Sequence, residues 1–355
     1  MPTIRQIAKM CNVSPMTVSF VLNNKTDQVS EETRERVLRT MRETGYRPRT
    51  STRSHPGVGV RTIGIAVGRT VRPSESGSYF SNIFDGIIQA TERVGYSTLL
   101  FHSGLFHEDP YRSIRTYFDG RCDGLIVLAP NRDMPLVPAL AERGVPFVLI
   151  GDQGDGENIP SVDVNNISEA EAIVDYLVDL GHRRIAFIGG AEQFTRVAWQ
   201  RHEGYRRAMV RHSLPIPQGY EIAPLRSESL VYEAVSALIR RNDIPRPTAF
   251  FAWNDSAALR ALMALQDANL RIPAEVSLIG FDDDSRVVQA QPSLTTVRQP
   301  YREIAARAVE MLARWVDEGE VCSEQVFLPS RLIVRDSTAA PPAQGKHQEA
   351  VGIKR

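Results

Sequence analysis

From residue 62 onward, short apolar runs alternate with longer segments in which apolar residues recur at helical spacing. Short apolar runs that alternate with helices are typical of buried strands in parallel sheets. More than 270 residues of this pattern exceed what one sheet accommodates, so the sequence predicts an α/β fold with two doubly wound lobes. Ligands of such folds bind beyond the carboxyl ends of the strands, here expected in the cleft between the lobes. The runs are 63–67, 98–101, 125–128, 147–150, 185–188, 249–252 and 276–281.

The first 23 residues predict two short helices joined by a tight turn. Apolar residues recur at helical spacing from Ile4 to Cys11, and Asn12 tolerates the left-handed conformation of a helix end. Ser14 and Pro15 then offer an N-cap and a proline at the first helical position. This pattern indicates a helix-turn-helix, whose second helix enters the major groove of DNA. An ordinary helical hairpin is the alternative, which the position before an α/β body disfavours.

Charge is distributed unevenly along a chain whose net charge is zero. Residues 1–60 carry ten Lys/Arg and five Asp/Glu, so this segment is +5 and the remainder is −5. A basic end on an acidic body concentrates the attraction for phosphates at that end. Three scattered cysteines without metal-ligand spacing predict buried thiols in a reducing compartment. With no signal peptide or membrane-length apolar run, we expect a cytoplasmic protein.

The pattern divides the chain into four parts. Residues 1–46 form a three-helix headpiece whose third helix Ser30 caps, and residues 47–61 form a hinge or linker. Residues 62–336 form an effector-binding domain, with one lobe at about 62–162 and 293–321 and the other at about 163–292 and 322–336. Residues 337–355, rich in Pro, Gln and Gly, are expected to be a disordered tail.

Several segments together resemble the lactose/galactose-repressor family of bacterial transcription regulators. They are TIRQIAKMCNVSPMTVSFVLN and VSEETRERVLRTMRETGYRP in the headpiece, and SVDVNNISEAEAIVDYLVDLGHRRIAFIGG, RHEGYRRAM, FFAWNDSAALRALMAL, IPAEVSLIGFDDDS and PSLTTVRQP in the body. The resemblance implies a homodimer that binds a near-palindromic operator on double-stranded DNA, and a two-lobed sensor similar to periplasmic sugar-binding proteins. The expected function is that of a transcription regulator, preferably a repressor. A small-molecule effector is expected to control its affinity for the operator.

The resemblance also implies roles for individual residues of the headpiece. Pro15, Met16 and Phe20 fall where the family reads bases. For Phe20, packing on the headpiece core is the alternative. The expected phosphate contacts are Thr3, Ser14, Thr17, Ser19 and Asn23, together with the hinge arginines Arg47, Arg49 and Arg53.

For the effector, the resemblance implies contacts from Arg201, Asn254 and Asp282, and from Asp152, where the alignment could shift by one residue. Their side chains suit a polyhydroxylated ligand. A sugar is the ligand class most expected, and a nucleoside or other metabolite is the next. A surface salt bridge is the alternative for Arg201, and a turn cap is the alternative for Asp282.

The sequence offers little support for other classes of protein. We expect no enzyme, no catalytic residue, no metal and no cofactor, because nucleotide-binding and serine-hydrolase motifs are missing. His182 is expected in a helix-to-strand turn rather than as a catalytic base. A solute-binding protein for transport would need a signal peptide and would lack residues 1–60. An activator, or a repressor with a corepressor, stays open.

Two stretches depart from the family pattern. His55 stands where the family has a leucine that opens the minor groove, and Pro56 ends any hinge helix there. We therefore predict a disordered hinge in the free protein and headpieces that move independently of the lobes. The loop 68–79 is longer and more polar than usual, which predicts an unusual ligand.

Overall fold

The strands and helices follow the chain from the headpiece to residue 333 in a computed structural model, which describes residues 3–22, 28–44, 59–68, 78–101, 109–131, 134–154, 159–190, 195–222 and 230–342. The strands are β1 (Thr62–Val67), β2 (Ser97–Phe101), β3 (Gly124–Leu128), β4 (Phe147–Ile150), β5 (Ser161–Asp163), β6 (Ile185–Ile188), β7 (Glu221–Ile222), β8 (Ala249–Ala252), β9 (Ser277–Ile279), β10 (Thr296–Arg298), β11 (Gln325–Phe327) and β12 (Arg331–Ile333). The helices are α1 (Ile4–Met10), α2 (Pro15–Leu22), α3 (Glu31–Glu43), α4 (Tyr79–Arg93), α5 (Pro110–Tyr117), α6 (Leu136–Arg143), α7 (Asn166–Asp179), α8 (Arg196–Arg211), α9 (Val231–Ile239), α10 (Asp255–Asp267), α11 (Ser285–Gln289) and α12 (Tyr301–Glu318). No helix among the described residues is both long enough and apolar enough to cross a bilayer.

The chain divides into two compact units. The first unit comprises Met1–Asn165, Glu192–Trp199 and Gln299–Ser330, and the second comprises Asn166–Ala191, Gln200–Arg298 and Arg331–Arg355. These boundaries differ from the predicted lobes in three places. Residues 192–199, predicted in the second lobe, belong to the first unit. Residues 322–330 belong to the first unit because β11 pairs with β5, and residues 293–298 belong to the second because β10 pairs with β12.

The first unit contains a six-stranded parallel sheet in the order β11-β5-β4-β3-β1-β2. Strands β3 and β4 are buried along their whole length, which accounts for their continuously apolar sequences. The strand order reverses between β1 and β3, the point at which doubly wound sheets bind ligands.

The second unit contains a four-stranded parallel sheet in the order β7-β6-β8-β9 and a separate antiparallel pair, β10-β12. Its order reverses between β6 and β8. The core lies between the sheet and helices α9 and α10 and includes Phe250, Leu278 and Leu265.

The headpiece is a three-helix unit with its own core, as the sequence predicts. The core side chains are Ile7, Ala8, Cys11, Val18, Val21, Val37, Leu38 and Met41. Asn12 has a φ of 52° in the turn, and Ser30 caps α3 by accepting a hydrogen bond from the backbone of Thr33. All three cysteines of the chain are buried and unpaired, as expected.

The expectation of a disordered tail is wrong for residues 337–342. Ser337 is fully buried, donates to the carbonyl of Leu278 at 2.6 Å and accepts from the amide of Thr295 at 2.8 Å. The polar composition of this segment hid a role in satisfying backbone groups at the edge of β9. Residues 343–355, the hinge stretch 45–58 and most of the loop 68–79 lie outside the described residues.

Candidate nucleic-acid interface and ligand sites

The turn between α1 and α2 is fixed by local hydrogen bonds. Thr3 and Gln6 form a reciprocal capping box at the start of α1. The hydroxyl of Ser14 accepts from the amide of Thr17 at 3.0 Å, which caps α2, and lies 2.8 Å from the hydroxyl of Thr17. These bonds set the direction in which α2 leaves the turn, so they fix where its first residues point.

The expected base-reading side chains lie on the outer surface of α2. Met16 is 65% exposed and Pro15 is also exposed, whereas Phe20 is partly exposed. Phe20 does not belong to the headpiece core formed by the described residues. The N-terminal half of α2 therefore presents an apolar surface that can contact thymine methyl groups but has no guanine-directed fork.

The expected phosphate contacts are placed in part. Thr3 and Ser14 are exposed, and Thr17 and Ser19 are half-buried. Thr3 and Ser14 also serve as helix caps, a structural role that occupies one acceptor site on each hydroxyl. Asn23 and the hinge arginines Arg47, Arg49 and Arg53 lie outside the described residues.

In the second unit, Arg201 of α8 is held from several sides. It is 3% exposed, its Nε donates to Oδ1 of Asn166 at 3.0 Å and its Nη1 donates to the carbonyl of Trp253 at 2.6 Å. Its Nη1 also lies 3.6 Å from Oδ1 of Asp282, and its guanidinium lies 3.5 Å from the centre of the Phe281 ring. Arg201 is therefore a buried side chain with several protein partners and does not form a surface salt bridge. We call Arg201, Asn166, Trp253, Asn254 and Asp282 the Arg201 group.

Asp282 follows β9 in a strained backbone conformation. Its φ is 118° and that of Asp283 is 57°, both in the left-handed region that favours glycine. Strain of this kind persists only where the surrounding structure enforces it, and it often marks binding sites. The preceding Gly280 is required, because a Cβ there would lie 2.1 Å from Oδ1 of Asp255.

Asp255, at the start of α10, lies beneath the Arg201 group. Its two carboxylate oxygens accept from the hydroxyl of Thr296 and from the amide of Asp284, each at 2.7 Å. Burial, and then the negative charge of Asp282, raise the pKa of the Asp255 carboxyl well above its usual range.

Asn254 and Trp253 come directly after β8, at the switch point of the second sheet. Asn254 is buried and caps α10, because its Oδ1 accepts from the amide of Ala257 at 2.8 Å. The Trp253 ring packs on Gly190, where a Cβ would lie 2.6 Å from the ring. Its Nε1 is buried and has no hydrogen-bond partner among the described residues. An unpaired buried donor is a position at which a ligand acceptor can bind.

In the first unit, Asp152 forms a buried ion pair with Arg196. Oδ1 of Asp152 lies 2.9 Å from Nε of Arg196 and accepts from the amide of Gly154 at 2.6 Å. Burial raises the pKa of Asp152, against the opposing effects of the Gly154 amide and the Arg196 charge. The pair lies on the wall of a cavity of about 260 Å³. The remaining wall is largely apolar and includes Pro130, Met134, Val137, Pro138, Leu149 and Ile159.

His182 occupies a structural position, as expected. It is buried at the turn between α7 and β6, with Nδ1 2.9 Å from the hydroxyl of Thr248 and Nε2 3.0 Å from that of Ser277. Burial lowers its pKa. The described residues contain no group of three or more His, Cys, Asp or Glu side chains that could hold a metal ion.

Four residues of these sites are not predicted from the sequence: Asn166, Trp253, Asp255 and Arg196. Trp253 and Asp255 flank Asn254 in the sequence, so the WND tripeptide was an available signal. Asn166 pairs with Arg201, and Arg196 pairs with Asp152. Each pair is far apart in the sequence and has no motif that would mark it, so only the folded chain brings the partners together.

Two family models match the chain. Residues 3–49 match the bacterial regulatory proteins of the lacI family, and residues 174–338 match a periplasmic binding protein-like domain. The chain is 30% identical to catabolite control protein A of Priestia megaterium over 336 residues, which are 95% of this chain and 99% of that protein. It is also 30% identical to the ribose operon repressor of Escherichia coli K12 over 346 residues, which are 95% of this chain and 100% of that protein.

Solved structures give the same result. A complex of the transcriptional regulator CelR with cellobiose has 29% identity and a TM-score of 0.69, and the match covers 95% of this chain and all of that one. A regulatory protein of the LacI family from Chloroflexus aggregans has 28% identity and a TM-score of 0.68, with coverage of 79% of this chain and 99% of that one. Together with the helix-turn-helix and the two doubly wound sheets, these matches show that the chain belongs to the lacI family of bacterial regulatory proteins, which are DNA-binding transcription repressors.

Proposed function

We propose that the chain represses transcription as a homodimer bound to a near-palindromic operator, and that a sugar bound by the Arg201 group controls its operator affinity. The observation that carries the sugar part is the indole Nε1 of Trp253, a buried donor without a partner among the described residues. The backbone carbonyl of the same residue accepts from Arg201. A tryptophan ring suits the apolar face of a sugar, and the surrounding carboxylate and guanidinium suit its vicinal hydroxyls.

The similar proteins favour the same ligand class. CelR was solved in complex with cellobiose, and one of the relatives is named the ribose operon repressor. The Asp152–Arg196 pair of the first unit offers a second set of polar groups with apolar walls. Its cavity of about 260 Å³ is smaller than the roughly 300–1,000 Å³ of pockets for drug-sized ligands, so it suits a small ligand such as a single sugar ring.

For DNA binding, the support is the exposed apolar tip of α2 on a basic headpiece. A single headpiece makes few contacts, so two-fold symmetry and two half-sites are expected. The test is selection of bound fragments from a random DNA pool, followed by titration at several salt concentrations. Six to ten phosphate contacts should reduce affinity by ~10³–10⁵ between ~50 and ~200 mM salt. Salt-insensitive binding without a two-fold consensus would refute the proposal.

For the ligand, we expect a sugar to change the fluorescence of Trp253. The chain contains three tryptophans, of which Trp199 and Trp315 can be replaced by phenylalanine to leave Trp253 as the reporter. Cellobiose, D-ribose, a hexuronate and a nucleoside form a suitable panel, with thermal shift as the first screen. The thermal shift caused by the sugar should be lost in a Trp253→Phe variant. A nucleoside that binds where all sugars fail would replace the sugar by the second ligand class.

A further inference from the structure

Within the first unit, the headpiece is attached to the rest of the unit by a cluster of polar contacts at the C-terminal end of α6. Arg143, the last residue of α6, is 8% exposed. Its Nη1 donates to the carbonyl of Leu22 at 2.6 Å and its Nη2 to the carbonyl of Val21 at 3.2 Å. Both carbonyls lie in the last turn of α2, where no intrahelical donor is available and the helix dipole favours a cation. Arg143 thus acts as a C-cap from another part of the chain.

A second contact joins α3 to the same place. Nη2 of Arg34 donates to Oε1 of Glu142 at 2.7 Å and to the hydroxyl of Tyr111 at 3.0 Å. The Tyr111 hydroxyl in turn donates to Oε2 of Glu142 at 2.7 Å, and the Arg143 guanidinium lies 4.4 Å from the centre of the Tyr111 ring. We call Arg34, Tyr111, Glu142 and Arg143 the docking cluster. The contacts of the docking cluster join the headpiece to segments more than 70 residues away in the sequence. A headpiece held in this way does not match the predicted motion independent of the lobes.

The docking cluster leaves the DNA-reading surface open. It holds the C-terminal turn of α2, whereas Pro15 and Met16 are exposed at the opposite end of that helix. In helix-turn-helix proteins the N-terminal residues of the second helix contact the bases. The docking cluster therefore does not cover the reading surface. It sets the angle of α2 relative to the rest of the first unit.

We propose that Arg143 is a positioning residue for operator recognition, which fixes the orientation of α2 on the rest of the first unit without contacting DNA. This route bypasses the hinge, where the chain departs from the family pattern. An oriented headpiece reaches its half-site without the ordering cost that a freely rotating headpiece incurs on binding. Removal of the two hydrogen bonds from Arg143 should therefore release the headpiece and weaken operator binding.

The first experiment measures hydrogen exchange of the full-length protein without DNA, so it does not rest on the proposed function. Arg143→Met keeps much of the side chain's apolar stem and removes the donors. Amides of α2 and α3 should exchange at least tenfold faster in this variant, while those of α10 in the second unit stay unchanged. Arg121→Met is the matched control, since Arg121 also lies over an aromatic ring and pairs with Asp119 but makes no headpiece contact among the described residues.

Unchanged exchange in α2 of Arg143→Met would overturn the proposal. If that variant does not fold, Glu142→Gln serves in its place, because it weakens the Arg34 ion pair and leaves the contacts of Arg143 intact. Exchange should then rise in α3 by a smaller factor. A protected α3 in Glu142→Gln would contradict the docking cluster as an energetic contact.

The second experiment measures operator affinity and rests on the proposed DNA binding. Arg143→Met should bind operator about tenfold more weakly, with an unchanged slope of log affinity against log salt, and Arg143→Lys should recover part of the loss. A slope that falls by ~0.9 would instead make Arg143 a phosphate contact. Tighter binding by Arg143→Met would make the cluster an autoinhibitory contact and overturn the positioning role. Loss of operator binding in the wild type would refute the proposed function but not the exchange result.

Discussion

Replacement of Arg201 by alanine should destabilise the second unit even in the absence of a ligand. The substitution removes the donors to Asn166 and Trp253 and leaves the Asp282 carboxylate without the cation 3.6 Å away. Breaking a buried charge pair by removing one partner costs ~3–5 kcal/mol. At ~2–4 °C per kcal/mol for a domain of this size, the transition of the second unit should shift by roughly 6–20 °C.

Arg207→Ala on the same helix is the matched control. Arg207 pairs with Glu203 at 2.7 Å and its side chain is 52% exposed, so its loss should cost less than ~1 kcal/mol. Urea unfolding followed by circular dichroism and by Trp253 fluorescence separates the two variants. Equal stability of the two variants would refute the structural role of Arg201.

Two further predictions concern the headpiece and a buried histidine. Phe20→Arg should shift the selected operator toward guanine at one position of each half-site, because arginine can donate twice to guanine; an unchanged selected sequence would show that Phe20 does not face the bases. His182, whose pKa is lowered by burial, binds a proton in the unfolded chain below pH ~6.5 but not in the folded one, so stability should fall as the pH decreases through that range. His182→Gln should flatten this dependence in urea titrations between pH 7 and 5, and an equally steep loss in the variant would assign it to other groups.

The strands with continuous apolar runs were predictable, whereas the very short ones were not. The seven predicted runs correspond to β1–β4, β6, β8 and β9. Strands such as β5 and β11 have only three residues each, too few to show a period, and their pairing depends on segments about 160 residues apart. The error in the lobe boundary at 322–330 follows directly from this.

The residues of the Arg201 group were predictable only where they lie in a recognisable sequence motif. Arg201 and Asp282 lie in recognisable segments, and the structure does bring them together. Their exact environment was not predictable, since Asn166 contributes from 35 residues away and carries no charge that would mark it. The docking cluster was hidden for the same reason, because Arg143 and Leu22 are 121 residues apart and the acceptor is a backbone carbonyl that no side-chain pattern reveals.

The charge balance of the Arg201 group argues for a neutral ligand. Its one cation faces Asp282, and Asp255 lies close enough to Asp282 that the charge of Asp282 contributes to raising its pKa. Arg201 is already engaged by protein acceptors at 2.6 and 3.0 Å, so an anionic ligand would have to displace them and approach two aspartates as well. A hydroxyl group can instead accept from Arg201 and donate to Asp282, whose separation of 3.6 Å is looser than a hydrogen bond. A ligand of this kind exchanges partners within the group without leaving a buried charge unpaired, so we predict that neutral sugars bind this site better than hexuronates.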